Sequence, residues 1–214
     1  MICAIVLAAG RSRRMGTQKL LLPFRGSTLI GHVVQQVLNS AVDRVYVVVG
    51  SDGEAIAGAI PGSRVLIVVN PESDSEMLDS VRCGLRALPE GCEGVLVVPG
   101  DVPGVTSALI DQMVTASRAS GKGIVVPTCG GQRGHPLLFA ARYCAEVLAR
   151  YDGVGLRGLL QDHPGDVYDL PVPTPTVLAD IDHMEDYRRE VGLPDNEASE
   201  PGESPDGPRS APTA

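Results

Sequence analysis

The chain has 214 residues and a formal net charge of −8 at pH 7, with 43% hydrophobic and only 3% aromatic residues. That length suits one domain with a sizeable core, and the acidic balance argues against broad attraction to nucleic acid or an anionic membrane. The five cysteines (Cys3, Cys83, Cys92, Cys129, Cys144) form no CxxC pair, which points to reduced thiols in a cytoplasmic setting, and no apolar run approaches the ~20 residues of a membrane span.

Residues 3–8 are a short apolar run that reads as a buried strand. The run leads into Leu7-Ala8-Ala9-Gly10-Arg11-Ser12-Arg13-Arg14-Met15-Gly16-Thr17-Gln18-Lys19-Leu20-Leu21-Leu22-Pro23. Small residues and glycines let backbone N–H groups approach a triphosphate with no Cβ in the way. Arg14 and Lys19 supply positive charge that the acidic chain otherwise lacks. A Walker A loop requires GxxxxGK followed by Ser or Thr. Here five residues separate Gly10 from Gly16, and Lys19 comes three later, so that reading fails. The plain alternative is a basic surface turn. Three arginines, a lysine and two glycines within ten residues argue against it in an acidic protein.

This stretch resembles the signature of the molybdenum-cofactor nucleotidyltransferases, in the cytidylyltransferase branch: LAAG, small residues, RMG, two residues, lysine, then an apolar run and proline. The resemblance implies that Leu7, Ala8, Ala9 and Gly10 border the base and phosphates. It also implies that Lys19 grips the triphosphate, with Arg14 assisting. Guanylyl-transferring relatives carry Leu-Ala-Gly-Gly, so a Cβ on residue 9 favours the smaller base of CTP over GTP.

Further along, residues 29–38, 54–60, 79–88 and 107–119 have helical length or spacing, and 45–49, 65–69, 95–98 and 124–127 read as buried strands. Strands apolar on both faces and separated by helices predict a doubly wound α/β domain, a mostly parallel sheet sandwiched by helices. Ligands then bind beyond the carboxyl ends of the strands. The resemblance narrows this to the nucleotide-diphospho-sugar transferase variant of the Rossmann architecture.

Asn70-Pro71 and Asp79-Ser80-Val81-Arg82-Cys83-Gly84-Leu85 resemble the family's passage from the third strand into a helix. Ser80 is expected to open that helix and face the nucleotide, where free N–H groups favour anions; a plain N-cap is the alternative. The family has Gly-Met where this chain has Glu76-Met77, an acid that could repel phosphate or narrow the loop. Val98-Pro99-Gly100-Asp101-Val102-Pro103 follows the fourth major strand and matches the family's GDxP. Magnesium takes one or two carboxylates plus phosphate oxygens and water, and the resemblance makes Asp101 a ligand of Mg²⁺.

Gly130-Gly131-Gln132-Arg133-Gly134-His135-Pro136-Leu137 resembles the RGHP loop of the cytidylyltransferases, which implies that Arg133 and His135 close over a phosphorylated acceptor. A structural His held by a proline turn is the alternative. Residues 134–170 are less regular and predict a hairpin and short helices. Within them, 152–157 resembles a second acceptor-side loop. The same region spells GxGxxG (Gly153 to Gly158), but the dinucleotide fingerprint needs a preceding strand, and residues 141–151 are helix-like. Near the end, Asp180 and Asp182 share a face if the segment is extended. The resemblance makes Asp182 the second metal ligand, although His183-Met184 replaces the usual Thr-Pro before a final helix, 185–191.

Residues 195–214 carry four prolines, five acids against one arginine, and no Val, Ile, Leu, Met or aromatic residue. That composition predicts a disordered acidic tail after a nucleotidyltransferase domain at 1–194. The resemblance implies transfer of a nucleoside monophosphate from CTP to a molybdopterin-type acceptor, with the product passed to a molybdoenzyme. Catalysis would fall to Lys19, Arg14 and Asp101. A related transferase for another triphosphate or acceptor (a sugar phosphate, phospholactate) and a non-catalytic cofactor-binding chaperone remain as alternatives.

Overall fold

The computed structural model describes residues 1–10, 18–60, 62, 64–72 and 76–192. Alternation along the first strand explains the layering. In β1 (Ile2–Ala8), Ala4, Val6 and Ala8 enter one apolar cluster while Ile5 enters another on the opposite face. In β6 (Gly94–Pro99), Leu96 and Val98 join the first cluster, and Val95 and Val97 the second. A strand with both faces buried needs helices on both sides.

The chain supplies them. α1 (Leu29–Leu38) and α4 (Ser107–Ser120) pack on the first face, and both start on threonine caps. Thr28 Oγ1 accepts from Gly31 N at 3.1 Å, and Thr106 Oγ1 from Leu109 N at 3.2 Å. α3 (Met77–Arg86), α5 (Cys144–Ala149) and α6 (Arg157–Asp162) cover the other face.

The other strands are β2 (Pro23–Phe24), β3 (Ser27–Thr28), β4 (Arg44–Gly50), β5 (Val65–Asn70), β7 (Ile124–Cys129), β8 (Gln132–Arg133), β9 (Leu137–Ala140) and β10 (Val167–Pro171). The main sheet runs β10-β7-β9-β6-β1-β4-β5, with β8 on β7; β2 and β3 form a separate hairpin. The pairs β1–β4, β1–β6, β4–β5 and β7–β10 are parallel, as expected of a doubly wound sheet. β9 departs from that rule. It lies antiparallel between β6 and β7, so the hairpin expected within residues 134–170 does not form: β10 pairs with β7 instead, and β9 enters the sheet as a single strand. Its residues Leu137, Leu138 and Phe139 are almost fully buried, which stabilises that placement by roughly 1.5–3 kcal/mol per large side chain.

Two boundaries move. The short helix after β4, α2, covers Glu54–Gly58 rather than 54–60. α3 begins at Met77, not at Ser80, because Asp79 Oδ2 accepts from Glu76 N at 3.1 Å and starts the helix three residues earlier. The final helix, α7 (Met184–Val191), forms without Thr-Pro. Asp186 Oδ2 accepts from His183 N at 2.8 Å and so caps the freed amide. Among the described residues no helix is long and apolar enough to cross a membrane.

Candidate active site

At the carboxyl end of β6 the chain turns through Gly100 into Asp101. Gly100 N donates to Leu7 O at 2.9 Å. A Cβ on residue 100 would stand 2.7 Å from Leu7 O and 2.9 Å from Ile30 Cδ1. Only glycine fits that approach, and it holds the Asp101 turn against the end of β1. Across from it, Ile181 N donates to Asp101 O at 3.0 Å. Ile181 is fully buried, so Asp182 is carried to Asp101 while Asp180 stays exposed. Tyr187 on α7 fastens the segment again, donating from its hydroxyl to Pro23 O at 2.5 Å.

Lys19 opens a short 3-10 turn, Lys19–Leu21, and points inward. Its Nζ donates to Asp101 Oδ2 at 2.7 Å, to Ile181 O at 2.8 Å and to Asp182 Oδ1 at 3.2 Å. Side-chain exposures are 14% for Lys19, 24% for Asp101 and 40% for Asp182. The lysine side chain is thus mostly enclosed, although it belongs to a turn. Burial is the strongest single influence on its titration and disfavours the charge. Asp101 and Asp182 together outweigh burial and hold the pKa above the ordinary lysine value.

The pair of acids fits a magnesium ion. Two carboxylates from different segments already converge on one cation, the ammonium of Lys19, and Mg²⁺ asks for one or two carboxylates with phosphate and water completing its shell. Among the described residues no group of three or more His, Cys, Asp or Glu forms a complete cage. Most of the remaining ligands would thus come from substrate and water.

A cleft of about 940 Å³ is lined by Leu7, Met77, Val97, Val154 and Arg157 together with Arg133 and His135. Lys19, Asp101 and Asp182 do not line it, and His135, which feels the charge of Asp101, is the link between the two. Gly134 N donates to Pro127 O and His135 N to Val177 O, both at 2.8 Å, and these bonds fix the RGHP loop over the cleft. Burial pulls the His135 pKa below its ordinary value, and the charges of Asp101 and Asp180 only partly offset this. Arg133 forms a two-pronged pair with Asp169 on β10, Nε to Oδ1 at 2.7 Å and an Nη2 contact to Oδ2 at 3.1 Å.

Ser80 is buried on α3, where its Oγ accepts from Asn70 Nδ2 at 3.1 Å and ties the helix to the end of β5. It does not line the cleft. Glu76 is turned toward the 152–157 loop, its Oε2 accepting from Gly153 N at 3.3 Å. Buried Arg82 fixes that loop, with Nη1 2.6 Å from Asp152 Oδ1 and Nη2 2.8 Å from Arg150 O. The helix α5 precedes the GxGxxG residues, so that pattern lacks its strand. Ala8 closes β1, Ala9 and Gly10 follow it, and Arg14 lies outside the described residues.

Two contributions escaped the sequence reading: the Ile181 carbonyl that accepts from Lys19 and the Asp169 partner of Arg133. A main-chain acceptor and an acid outside any motif leave no signal in composition or spacing.

Residues 4–167 match the family model described as the MobA-like NTP transferase domain. The bifunctional protein GlmU of Kineococcus radiotolerans is 31% identical over 172 residues, covering 78% of this chain and 33% of its own length. The chain thus spans about a third of that relative. The molybdenum cofactor cytidylyltransferase of Escherichia coli K12 is 27% identical over 187 residues, covering 87% of this chain and 93% of that protein. Rv0371c of Mycobacterium tuberculosis H37Rv is 28% identical with a TM-score of 0.78, covering 89% of this chain and 98% of its own. Its complex with manganese superposes with a TM-score of 0.73 at 26% identity, with the same coverage of both chains.

Proposed function

The chain belongs to the MobA-like NTP transferase domain family of nucleotidyltransferases, and from that premise we propose that it transfers CMP from CTP to a phosphorylated, molybdopterin-type acceptor. The observation that carries the proposal is the meeting of Asp101, Asp182 and Lys19 at one point, linked to the cleft by His135. Match length supports the acceptor, since the molybdenum cofactor cytidylyltransferase aligns over nearly its whole length.

An oxygen of the acceptor phosphate attacks the α-phosphorus, the bond to the bridging oxygen breaks, and pyrophosphate leaves with the electron pair. A phosphate oxygen is already a competent nucleophile, so the protein needs to supply alignment and charge, not a general base. Bound at Asp101 and Asp182, Mg²⁺ would offset the charge that develops on the phosphate oxygens. Lys19 and Arg14 hold the β and γ phosphates. Leu7, Ala8, Ala9 and Gly10 border the base, and Ser80 acts from behind by fixing α3. Arg133, His135 and Arg157 receive the phosphate of the acceptor, whose apolar part rests on Val97, Met77 and Val154. The product passes to a molybdoenzyme in the cytoplasm. A sugar phosphate is the second acceptor class, favoured by the 31% identity to GlmU. Glu76, the acid that could repel phosphate, is turned to the 152–157 loop, where it accepts from Gly153 N.

The test is pyrophosphate release from each of four triphosphates paired with molybdopterin or with sugar phosphates, with Mg²⁺ and with EDTA. CTP with molybdopterin and Mg²⁺ should give the fastest release. No release from any pair would sink nucleotidyl transfer, and a faster sugar-phosphate pair would reassign the acceptor.

A further inference from the structure

We infer that Lys19 is a resident substitute for the divalent ion, so that the protein takes the metal together with the triphosphate and not ahead of it. The inference rests on the proposed metal site at Asp101 and Asp182. Those carboxylates already share a cation: Nζ lies 2.7 Å from Asp101 Oδ2 and 3.2 Å from Asp182 Oδ1, with the Ile181 carbonyl at 2.8 Å as a third acceptor. The acids are thereby held together by hydrogen bonds rather than left to repel each other. An ammonium donating to both carboxylates and a divalent ion ligated by both need the same space, and their like charges exclude joint occupancy. A metal ion arriving alone must displace an enclosed ammonium from both carboxylates and then stand beside its like charge.

A triphosphate changes that balance. It offers the displaced ammonium several phosphate oxygens, which are strong charge-assisted acceptors, and brings further ligands for the metal. Lys19 then moves from carboxylates to phosphates as the ion takes its place. Metal and nucleotide are bound cooperatively, and by reciprocity each raises the affinity for the other by the same factor. The device also keeps the acids paired in the free protein, when neither ligand is present.

Manganese binding, followed by the water-proton relaxation of protein-bound Mn²⁺, tests this without turnover. Wild type should bind Mn²⁺ alone weakly, and Lys19→Met, which keeps the stem and removes the charge, should bind it about tenfold more tightly or better, within the usual range of coupling between sites. Equal affinity in the two proteins overturns the substitution. Adding Asp101→Asn to Lys19→Met should abolish the gain; if the gain persists, the two-carboxylate site is wrong, a failure distinct from that of the exchange. Wild type alone provides the second measurement. α,β-Methylene analogues of the four triphosphates should include one that raises Mn²⁺ affinity about tenfold, and the same factor should shrink in Lys19→Met. If none of the four raises it, the coupling does not exist.

Discussion

Removing the Lys19 ammonium takes away a proposed phosphate contact and also the charge that offsets Asp101 and Asp182. The first loss should cost about 2–4 kcal/mol of transition-state stabilisation, or a fall in turnover of roughly 30- to 900-fold in Lys19→Ala. The second leaves two partly enclosed carboxylates facing each other, so the melting temperature should drop in EDTA and recover with Mg²⁺. Wild-type turnover in this variant would remove Lys19 from the site. Asp101→Asn and Asp182→Asn should each raise the Mg²⁺ concentration needed for half-maximal rate. Their effects should fall short of additive in the double variant, because both serve one ion; the less exposed Asp101 should matter more. Unchanged Mg²⁺ curves in both variants would count against the carboxylate pair. Ala9→Gly tests the base. Steric discrimination by one methyl is worth about 1–3 kcal/mol, so the CTP-over-GTP ratio of kcat/KM should shrink in the variant; a wild type that prefers GTP refutes the steric argument. Lys19, Asp101 and Asp182 were singled out in the sequence because the segments that carry them resemble a family signature, although the one at Asp182 departs from it at His183-Met184. Their mutual contact was not legible, since the partners lie 82 and 163 residues from Lys19.

Among the elements, the parallel strands announced themselves by unbroken apolar runs, whereas β9 did not. Its buried stretch Leu137–Ala140 is four residues long, and an apolar segment so short carries no mark of direction. Its antiparallel insertion places the RGHP loop, which joins β8 to β9, over the cleft. The start of α3 was misjudged because Ser80 is the more familiar capping residue; here Asp79 accepts from the Glu76 amide instead. Beyond β9, Asp166 joins two elements. It accepts from Arg142 Nη2 at 2.6 Å and from the Tyr143 hydroxyl, linking the turn Pro164–Asp166 to the turn Ala141–Tyr143. Burial opposes its charge, but Tyr143, the Gly123 amide and Arg142 prevail and lower its pKa from 3.8 to about 2. A depressed carboxylate pKa stabilises the fold at pH values above the unfolded one, and that contribution vanishes as pH falls through the folded value. Asp166→Asn should therefore lower the melting temperature at pH 7, and the two proteins should converge between pH 3.8 and about 2. Parallel melting curves across that window would exclude the carboxylate as the source.

For the whole molecule, the layering and the parallel part of the sheet followed from the alternation of apolar runs and helical segments, while the identity of the acceptor did not, because no single residue type specifies it. Residues 195–214 offer a core nothing to bury, so deleting them should leave melting temperature and specific activity unchanged. A loss of several degrees would mean that the segment docks on the domain. The distance along the chain between the two halves of the site has one more consequence. Asp182 reaches Lys19 through a segment anchored by buried Ile181 and by the Tyr187 hydroxyl on Pro23, a contact that spans 163 residues of chain and carries the entropy cost of closing that loop. During synthesis, the nucleotide loop and Asp101 emerge well before the residues that complete the metal pair. On the proposed metal pair, a nascent or clipped chain that ends before Asp182 should need more Mg²⁺ to react, as Asp182→Asn should. Full activity at low Mg²⁺ would then report that the chain has been made and folded through α7.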